Sequence, residues 1–394
     1  MADATVLTMR IDTCDLYGGT MCWPRRLVWR VGYLPAPSLL VRRSTGCSIS
    51  VDELDNGTHK ATNLSSNSSR LGVKGDIQIG GNFAAIYQIE SEVNADTGIT
   101  SNPSGNPQDS TKPTVLASRN TFGGLQSADY GTLRFGRFDT PVKLLGRTVD
   151  LFQDQIGDSR NLTRGANGSS TGTNTVARFD ERPDNSIGYT SPDFLGFRAD
   201  LQYSPNVDAG VAGTTISPPG ITNSNRNRLV DATITFTRAS VFLGVGYERI
   251  GYLSTANPAD TGNSPSILRA TGYYDVGPVR INALWQKVDG VSKTTSENEK
   301  VYGLGLSCRV ADWLLKAQGY QLKADAANKN AGLLAFGTEY TPRRNVTLYL
   351  DYALVDNDSG RGLTPYKENR SDYLPVVANG VNPKAVSLGT IIAF

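Results

Sequence analysis

From about Ser48 to Phe394 the chain repeats one local pattern, runs in which apolar and polar side chains alternate. In Val346-Thr347-Leu348-Tyr349-Leu350-Asp351-Tyr352-Ala353-Leu354 the even positions are apolar, and the odd ones include Thr347 and Asp351. Leu71, Val73, Ile77 and Ile79 oppose Arg70, Lys74, Asp76 and Gln78 in the same way. So do Phe83, Tyr87 and Ile89 against Asn82, Gln88 and Glu90. Further along, Val230, Ile234 and Phe236 face away from Asp231, Thr233 and Thr235, and Val279, Ile281 and Trp285 from Arg280, Asn282 and Gln286. Successive side chains of an extended chain point to opposite sides, so each run reads as a strand with one apolar and one polar face. No segment holds a helical period over three turns.

The connections come in two kinds that alternate along the chain. Short ones fall at 80–81, 128–129, 192–196, 238–239, 276–278, 311–312 and 341–345. Long polar ones fall at 56–68, 94–114, 139–183, 204–227, 251–266, 289–298, 324–330 and 357–385. Strands running up and down produce this order when one rim carries loops and the other turns. About fifteen strands follow Ser69. An antiparallel barrel with both termini on one rim needs an even number, so Cys47 to Asp55, with Ile49 and Val51 against Ser50 and Asp52, is expected to supply the sixteenth.

A two-sheet sandwich also alternates, but three features favour a membrane barrel. The runs reach about 9–11 residues, the span of a tilted transmembrane strand, whereas ordinary strands average about 5–6. Aromatics gather toward strand ends, as at Tyr130, Phe138, Tyr203, Tyr252, Tyr274, Trp313, Tyr340 and Phe394, where interfacial belts form. Central apolar-face positions carry almost no charge, and a charge there costs about 2–4 kcal/mol in a bilayer. Composition agrees. Hydrophobic residues are only 39%, too few for the dry core of a globular chain this long but enough for one lipid-facing side. No uncharged apolar stretch is long enough for a helical span.

Other chemistries find little support. A net charge of +2 from 39 basic and 37 acidic residues argues against a nucleic-acid surface. The single His, His59, lies in a polar stretch, which leaves a triad-type enzyme without its usual base. Cys14, Cys22, Cys47 and Cys308 match no zinc or redox spacing. Neither cofactor, metal nor catalytic residue is expected.

Several motifs, in order, resemble the trimeric, sixteen-strand general porins of Gram-negative outer membranes. They are Ser69-Arg70-Leu71-Gly72-Val73-Lys74-Gly75 with Gly80-Gly81-Asn82-Phe83; Tyr130-Gly131-Thr132-Leu133-Arg134-Phe135-Gly136-Arg137; Asn185-Ser186-Ile187-Gly188-Tyr189-Thr190; and the terminal Phe394. The resemblance covers residues 56–394. It implies an all-β transmembrane antiparallel barrel of about sixteen strands, with the long third loop (139–183) folded into the lumen. It further implies an outer-membrane location, a homotrimer with the second loop (94–114) reaching a neighbour, and contact with outer-membrane lipid and lipopolysaccharide. The function implied is passive diffusion of small hydrophilic solutes and ions. A substrate-selective channel for a sugar, phosphate or organic acid is the alternative, and a barrel enzyme or adhesin the alternative of another class.

In the family a basic cluster on the channel wall faces acids on the third loop. Arg70, Arg119 and Arg182 fall at similar positions, and all three lie on polar sides by the alternation. The loop offers Asp150, Asp154 and Asp158 at four-residue spacing, which would share one face of a short helical turn. Other pore-lining residues expected from the face assignment are Lys74, Asp76, Glu90, Arg134, Arg198, Arg269, Arg280 and Lys316. The wall tally, with Asp200, Asp231, Glu248 and Asp351 among its acids, leans basic and suggests mild anion preference. Residues 1–47, rich in Arg, Pro and Trp, are expected to be irregular, with the barrel occupying 48–394.

Overall fold

The structure, a computed structural model, describes residues 40–43, 46–96, 117–164, 179–205, 228–251, 264–290, 297–366 and 377–394. The first strands are β1 (Leu40–Arg43), β2 (Gly46–Asp55), β3 (Lys60–Ser66), β4 (Arg70–Gly80) and β5 (Phe83–Glu92). β6 (Thr121–Ser127) and β7 (Gly131–Arg137) follow, then the short helices α1 (Pro141–Val149) and α2 (Arg160–Thr163). The chain continues through β8 (Ser186–Thr190), β9 (Phe197–Ser204), β10 (Arg228–Arg238), β11 (Val241–Gly251), β12 (Ser266–Val276) and β13 (Val279–Asp289). It ends with β14 (Asn298–Val310), β15 (Trp313–Ala324), β16 (Ala331–Arg343), β17 (Val346–Asn357) and β18 (Lys384–Ala393).

Every neighbouring pair is antiparallel, and the pairing of β18 with β2 closes the sheet into a barrel. The eighteen segments found among the described residues make sixteen staves. β1 and β2 lie end to end, because β1 pairs with β4 while β2 pairs with β3 and, at Gly46, with Arg70 of β4. β3 and β4 are likewise one stave, bent by a bulge. From Gly46↔Arg70 to Ile49↔Ser66, three steps on one strand match four on the other, and the bulged Ser68 takes a positive φ of 52°. The freed polar groups are satisfied locally: Ser69 Oγ accepts from Ser48 N–H at 2.9 Å, and Asn67 donates to Ser50 Oγ at 2.8 Å and to Tyr349 Oη at 3.0 Å.

That stave corrects two expectations. The supposed long loop 56–68 is a tight turn followed by β3, a strand whose only large apolar side chain is Leu64 and which therefore shows no alternation signal. Regular pairing also begins before residue 48, since β1 and the start of β2 lie within the stretch expected to be irregular. Residues 1–39 lie outside the described ones.

The apolar faces point outward. Leu304 is 67% exposed and Leu388 61%, with Leu71, Val73, Leu243, Leu315 and Phe336 in the same row pattern. A folded chain leaves so much large apolar surface uncovered only where something other than water meets it. No helix among the described residues is long and apolar enough to span a membrane; strands do the crossing here. An aromatic girdle marks the short-turn rim: Phe83 stacks on Tyr130, Phe197 packs on Phe236 at 4.8 Å and Trp313 on Tyr340 at 4.7 Å. Phe138, expected in that belt, is instead buried inside beside Phe122. Tyr252 lies outside the described residues.

The third loop turns inward. Thr140 caps α1, accepting from Lys143 N–H, and Pro141 fills the first turn, where a missing N–H costs nothing. α1 packs its buried Val142, Leu145 and Val149 against the inner wall of β9 to β13.

Candidate functional site

Loop 3 divides the lumen into a filled half and an open half. On the filled side Val149, Phe152, Ile156 and Leu162 of the loop form a dry core with Leu284, Val301, Tyr320 and Leu333 of the wall. Polar wall residues beneath it act as tethers. Arg269 is fully buried, paired with Asp180 at 2.7 Å and donating to Val142 O at 2.8 Å and to Gln286 Oε1. Lys316, also buried, pairs with Glu339 at 2.7 Å, donates to Gln155 and lies over the Phe152 ring. Asn282 donates to Val149 O, and Gln318 bridges Leu151 N–H and Asp150. Arg269 and Lys316 therefore do not line the open channel; the loop covers the wall that carries them. The same covering removes Asp231, Glu248 and Asp351, all buried, from the wall tally.

From β4 to β9 the basic residues are held in ion pairs instead of under the loop core, and Arg119 and Glu90 are themselves buried. Arg70 of β4 reaches Asp154 at 3.2 Å, Arg119 pairs with Glu90 at 2.7 Å, and Arg182 with Asp139 at 2.9 Å. The three arginines are close enough for Arg119 to repel both others. Arg134 sits over the Phe138 ring and donates to Thr190 Oγ1, and Arg137 pairs with Asp184. Lys74 and Asp76 lie on the inner face of β4, and Arg198 is exposed near the short-turn rim. Arg280, at the same rim, pairs with Asp275 at 2.6 Å over the Tyr273 ring.

The three loop acids separate. α1 ends at Asp150, and Asp154 takes a left-handed φ of 61°, so the four-residue spacing does not fall on a helix. Asp150 is a structural acceptor for Phe152 N–H, Ser159 and Gln318. Asp158 is buried against Arg160 and accepts from Asp154 N–H. Only Asp154 meets the wall arginines. It also pairs with Arg147 at 2.9 Å and Arg160 at 3.7 Å. Burial alone would raise its carboxyl, but Arg147 and Arg70 hold it well below the usual carboxylate range. Asp139 is held down in the same manner by Lys143 and Arg182. Among the described residues of the loop, the exposed ones are Leu144, Thr148 and Gln153, all uncharged. The acids are engaged in ion pairs with the arginines, and the most exposed of the described loop side chains are uncharged.

The family model described as Gram-negative porin matches residues 47–360. The chain belongs to the Gram-negative porin family. It is 23% identical over 250 residues to an outer membrane porin protein of Bordetella pertussis, covering 61% of this chain and 60% of that one. The major outer membrane protein P.IB of Neisseria gonorrhoeae is 24% identical over 273 residues, 66% of this chain and 69% of the relative. The match to P.IB of Neisseria sicca, at 27% identity, spans 51% of this chain and 45% of that protein's length. Among solved structures, the anion-selective porin from Comamonas acidovorans superposes with a TM-score of 0.70 at 20% identity, over 90% of this chain and 100% of that one. Membership in the family places this barrel in the outer membrane and sets aside the barrel-enzyme alternative.

Within this porin the sequence reading missed Arg147, Arg160, Arg137 and Asp139, which complete the charge network. The Thr140-Pro141 pair, a helix-start signature, would have revealed α1 and placed Arg147 in its last turn. The loop returns to the wall at Gly157, whose φ is +81° and whose N–H donates to Pro365 O at 2.7 Å. A Cβ there would stand 2.6 Å from the Ala335 methyl. Gly157→Ala should lower stability by about 1–3 kcal/mol, from the positive φ and the collision together. A lowered thermal unfolding midpoint in detergent would register it, and an unchanged midpoint would contradict this placement of the loop.

Proposed function

We propose that this porin forms a water-filled channel for passive diffusion of small hydrophilic solutes, with a preference for anions. The carrying observation is the imbalance at the open wall, where one loop carboxylate, Asp154, is shared by Arg70, Arg147 and Arg160. Arg119, Arg134, Arg137 and Arg182 add to the basic side around that point, and the exposed side chains of the described part of the loop, Leu144, Thr148 and Gln153, are uncharged. Low-dielectric walls focus such a field into the lumen, drawing anions in while leaving each arginine partly neutralised by a neighbour. That partial neutralisation keeps any one site weak enough to release its ion. The solved relative from Comamonas acidovorans is an anion-selective porin, which supports the sign. A substrate-selective track finds no comparable support, since the arginines form a cluster around the throat and not a ladder along it.

Purified protein in a planar bilayer under a salt gradient tests this reading. The reversal potential should have the sign of chloride permeation over potassium. A cation-selective reversal potential would sink the preference, and an absence of stepwise conductance would sink the channel itself.

The assembly we propose is a homotrimer. A solved neighbour from Vibrio cholerae is described as a trimer form, and the second loop expected to reach the next copy lies largely outside the described residues. Outer-membrane lipid and lipopolysaccharide are the surrounding partners proposed for the outward apolar faces.

A further inference from the structure

The inner wall beneath the start of α1 carries a pair of carboxyl groups that the ion pairs of the throat do not use. Asp231 of β10 and Glu248 of β11 are register partners, and both are buried, at 1% and 0% exposure. The two oxygens of Asp231 accept from Val142 N–H at 3.2 and 3.1 Å. Val142 lies in the first turn of α1, where the helix dipole favours a carboxylate. Neither Glu248 oxygen has a donor of ordinary hydrogen-bond geometry, although the Asp231 carboxyl and the Thr140 hydroxyl lie beside it. α1 covers the pair closely. Gly244 and Gly246, on the same face of β11, form its seat, and a Cβ on Gly246 would stand 2.8 Å from the side chains of both Val142 and Leu145.

The groups packed around the pair supply no spare positive charge. Arg269 of β12 is paired with Asp180 at 2.7 Å. On β9 the register partner of Asp231 is Gln202, a neutral side chain that donates to Ser186 and to Phe138 O. Lys143 of α1 turns to Asp139 at 2.6 Å, which Arg182 also reaches. The pocket therefore sets three carboxyls, Asp180, Asp231 and Glu248, against one guanidinium. Two carboxyls side by side in a dry site do not both ionise. A buried carboxylate without donors is also costly, and one hydroxyl, that of Thr140, cannot serve two of them. A single proton removes both difficulties. Glu248 becomes a donor, its O–H directed at Asp231, and Asp231 stays the anion at the first turn of α1.

We infer that Asp231 and Glu248 share one proton, and that this proton latches loop 3 to the wall, so that alkali releases the loop. When α1 lifts, water reaches both groups and each ionises as an ordinary carboxyl. Docking therefore takes up a proton, and the ratio of docked to lifted loop falls by up to about tenfold for each pH unit. The inference rests on loop 3 lining the channel, as proposed above, but concerns a pair that the permeating solute never touches.

Single-channel recording of the full chain in a planar bilayer, from about pH 6 to about pH 9, reads the latch as the frequency of brief open-level fluctuations. In wild type that frequency should rise by up to about tenfold per unit toward alkali. Glu248→Gln keeps a donor for Asp231 but cannot titrate, so its currents should stay quiet across the range. Lys143 is the rival, because burial pulls its ammonium down to about 7 in spite of Asp139. Lys143→Gln should keep the wild-type slope. Infrared spectra need no current: wild type minus Glu248→Gln at neutral pH should show a protonated-carboxyl band. A missing band, a flat wild-type frequency or a slope retained in Glu248→Gln would each overturn the shared proton as the latch. A slope lost only in Lys143→Gln would overturn it too, in favour of the lysine. A chain that shows the band but conducts nothing would sink the channel reading and still support the shared proton.

Discussion

Replacing Arg70, Arg119 and Arg182 together with glutamine should abolish anion preference and shift the reversal potential toward cations. Glutamine keeps most of the side-chain volume, so the change in selectivity is a charge effect and not one of widening. Afterwards Glu90 has lost its 2.7 Å guanidinium partner, while Asp154 keeps Arg147 and Asp139 keeps Lys143. A permeating ion about 7 Å from each charge in water feels about 0.6 kcal/mol per arginine. Three charges change the local concentration of the anion about 20-fold and of the cation about 20-fold the other way, so their ratio shifts about 400-fold at low salt, and screening reduces this to about tenfold at physiological ionic strength. The salt dependence is part of the prediction. An unaltered reversal potential in dilute electrolyte would mean that the throat lies elsewhere in the barrel.

Removing the Arg269 guanidinium should free loop 3 from the wall. Arg269 and Asp180 are essentially inaccessible to water, and the guanidinium also holds the carbonyl of Val142 and the amide of Gln286. Deleting one partner of a buried pair leaves an uncompensated charge and costs about 3–5 kcal/mol. In Arg269→Met the loop should loosen, giving noisier single-channel currents and admitting larger sugars in liposome-swelling assays, together with a lower unfolding temperature. The second replacement, Asp180→Leu, should recover part of the lost stability, because a buried ion pair exchanged for apolar side chains is often close to neutral. Quiet, wild-type currents in Arg269→Met would show that the apolar core around Phe152 and Leu162 fixes the loop unaided. The two predictions separate cleanly, one altering charge at constant loop position and the other altering loop position.

The sequence by itself determined the barrel, because a strand between lipid and water must alternate, and a period of two is visible in any linear reading. It also placed Arg70, Arg269 and Lys316 on the polar side of their strands, the side that contacts loop 3. Where that signal weakens, the reading failed locally. β3, with Leu64 as its one large apolar residue, passed for a loop, and the bulge at Ser68 shifted the register by a residue. Only the tertiary structure decided which inward residues meet water. Loop 3 covers one half of the inner wall, turning Arg269 and Lys316 into buried tethers, while Arg70 keeps about a third of its side chain exposed and Arg119 is buried against Glu90. It likewise turned Asp154 toward Arg70, while Asp150 and Asp158 became acceptors within the loop. Alternation records the face of a strand, which is local; what lies against that face depends on a loop whose docking contacts join residues more than a hundred positions apart.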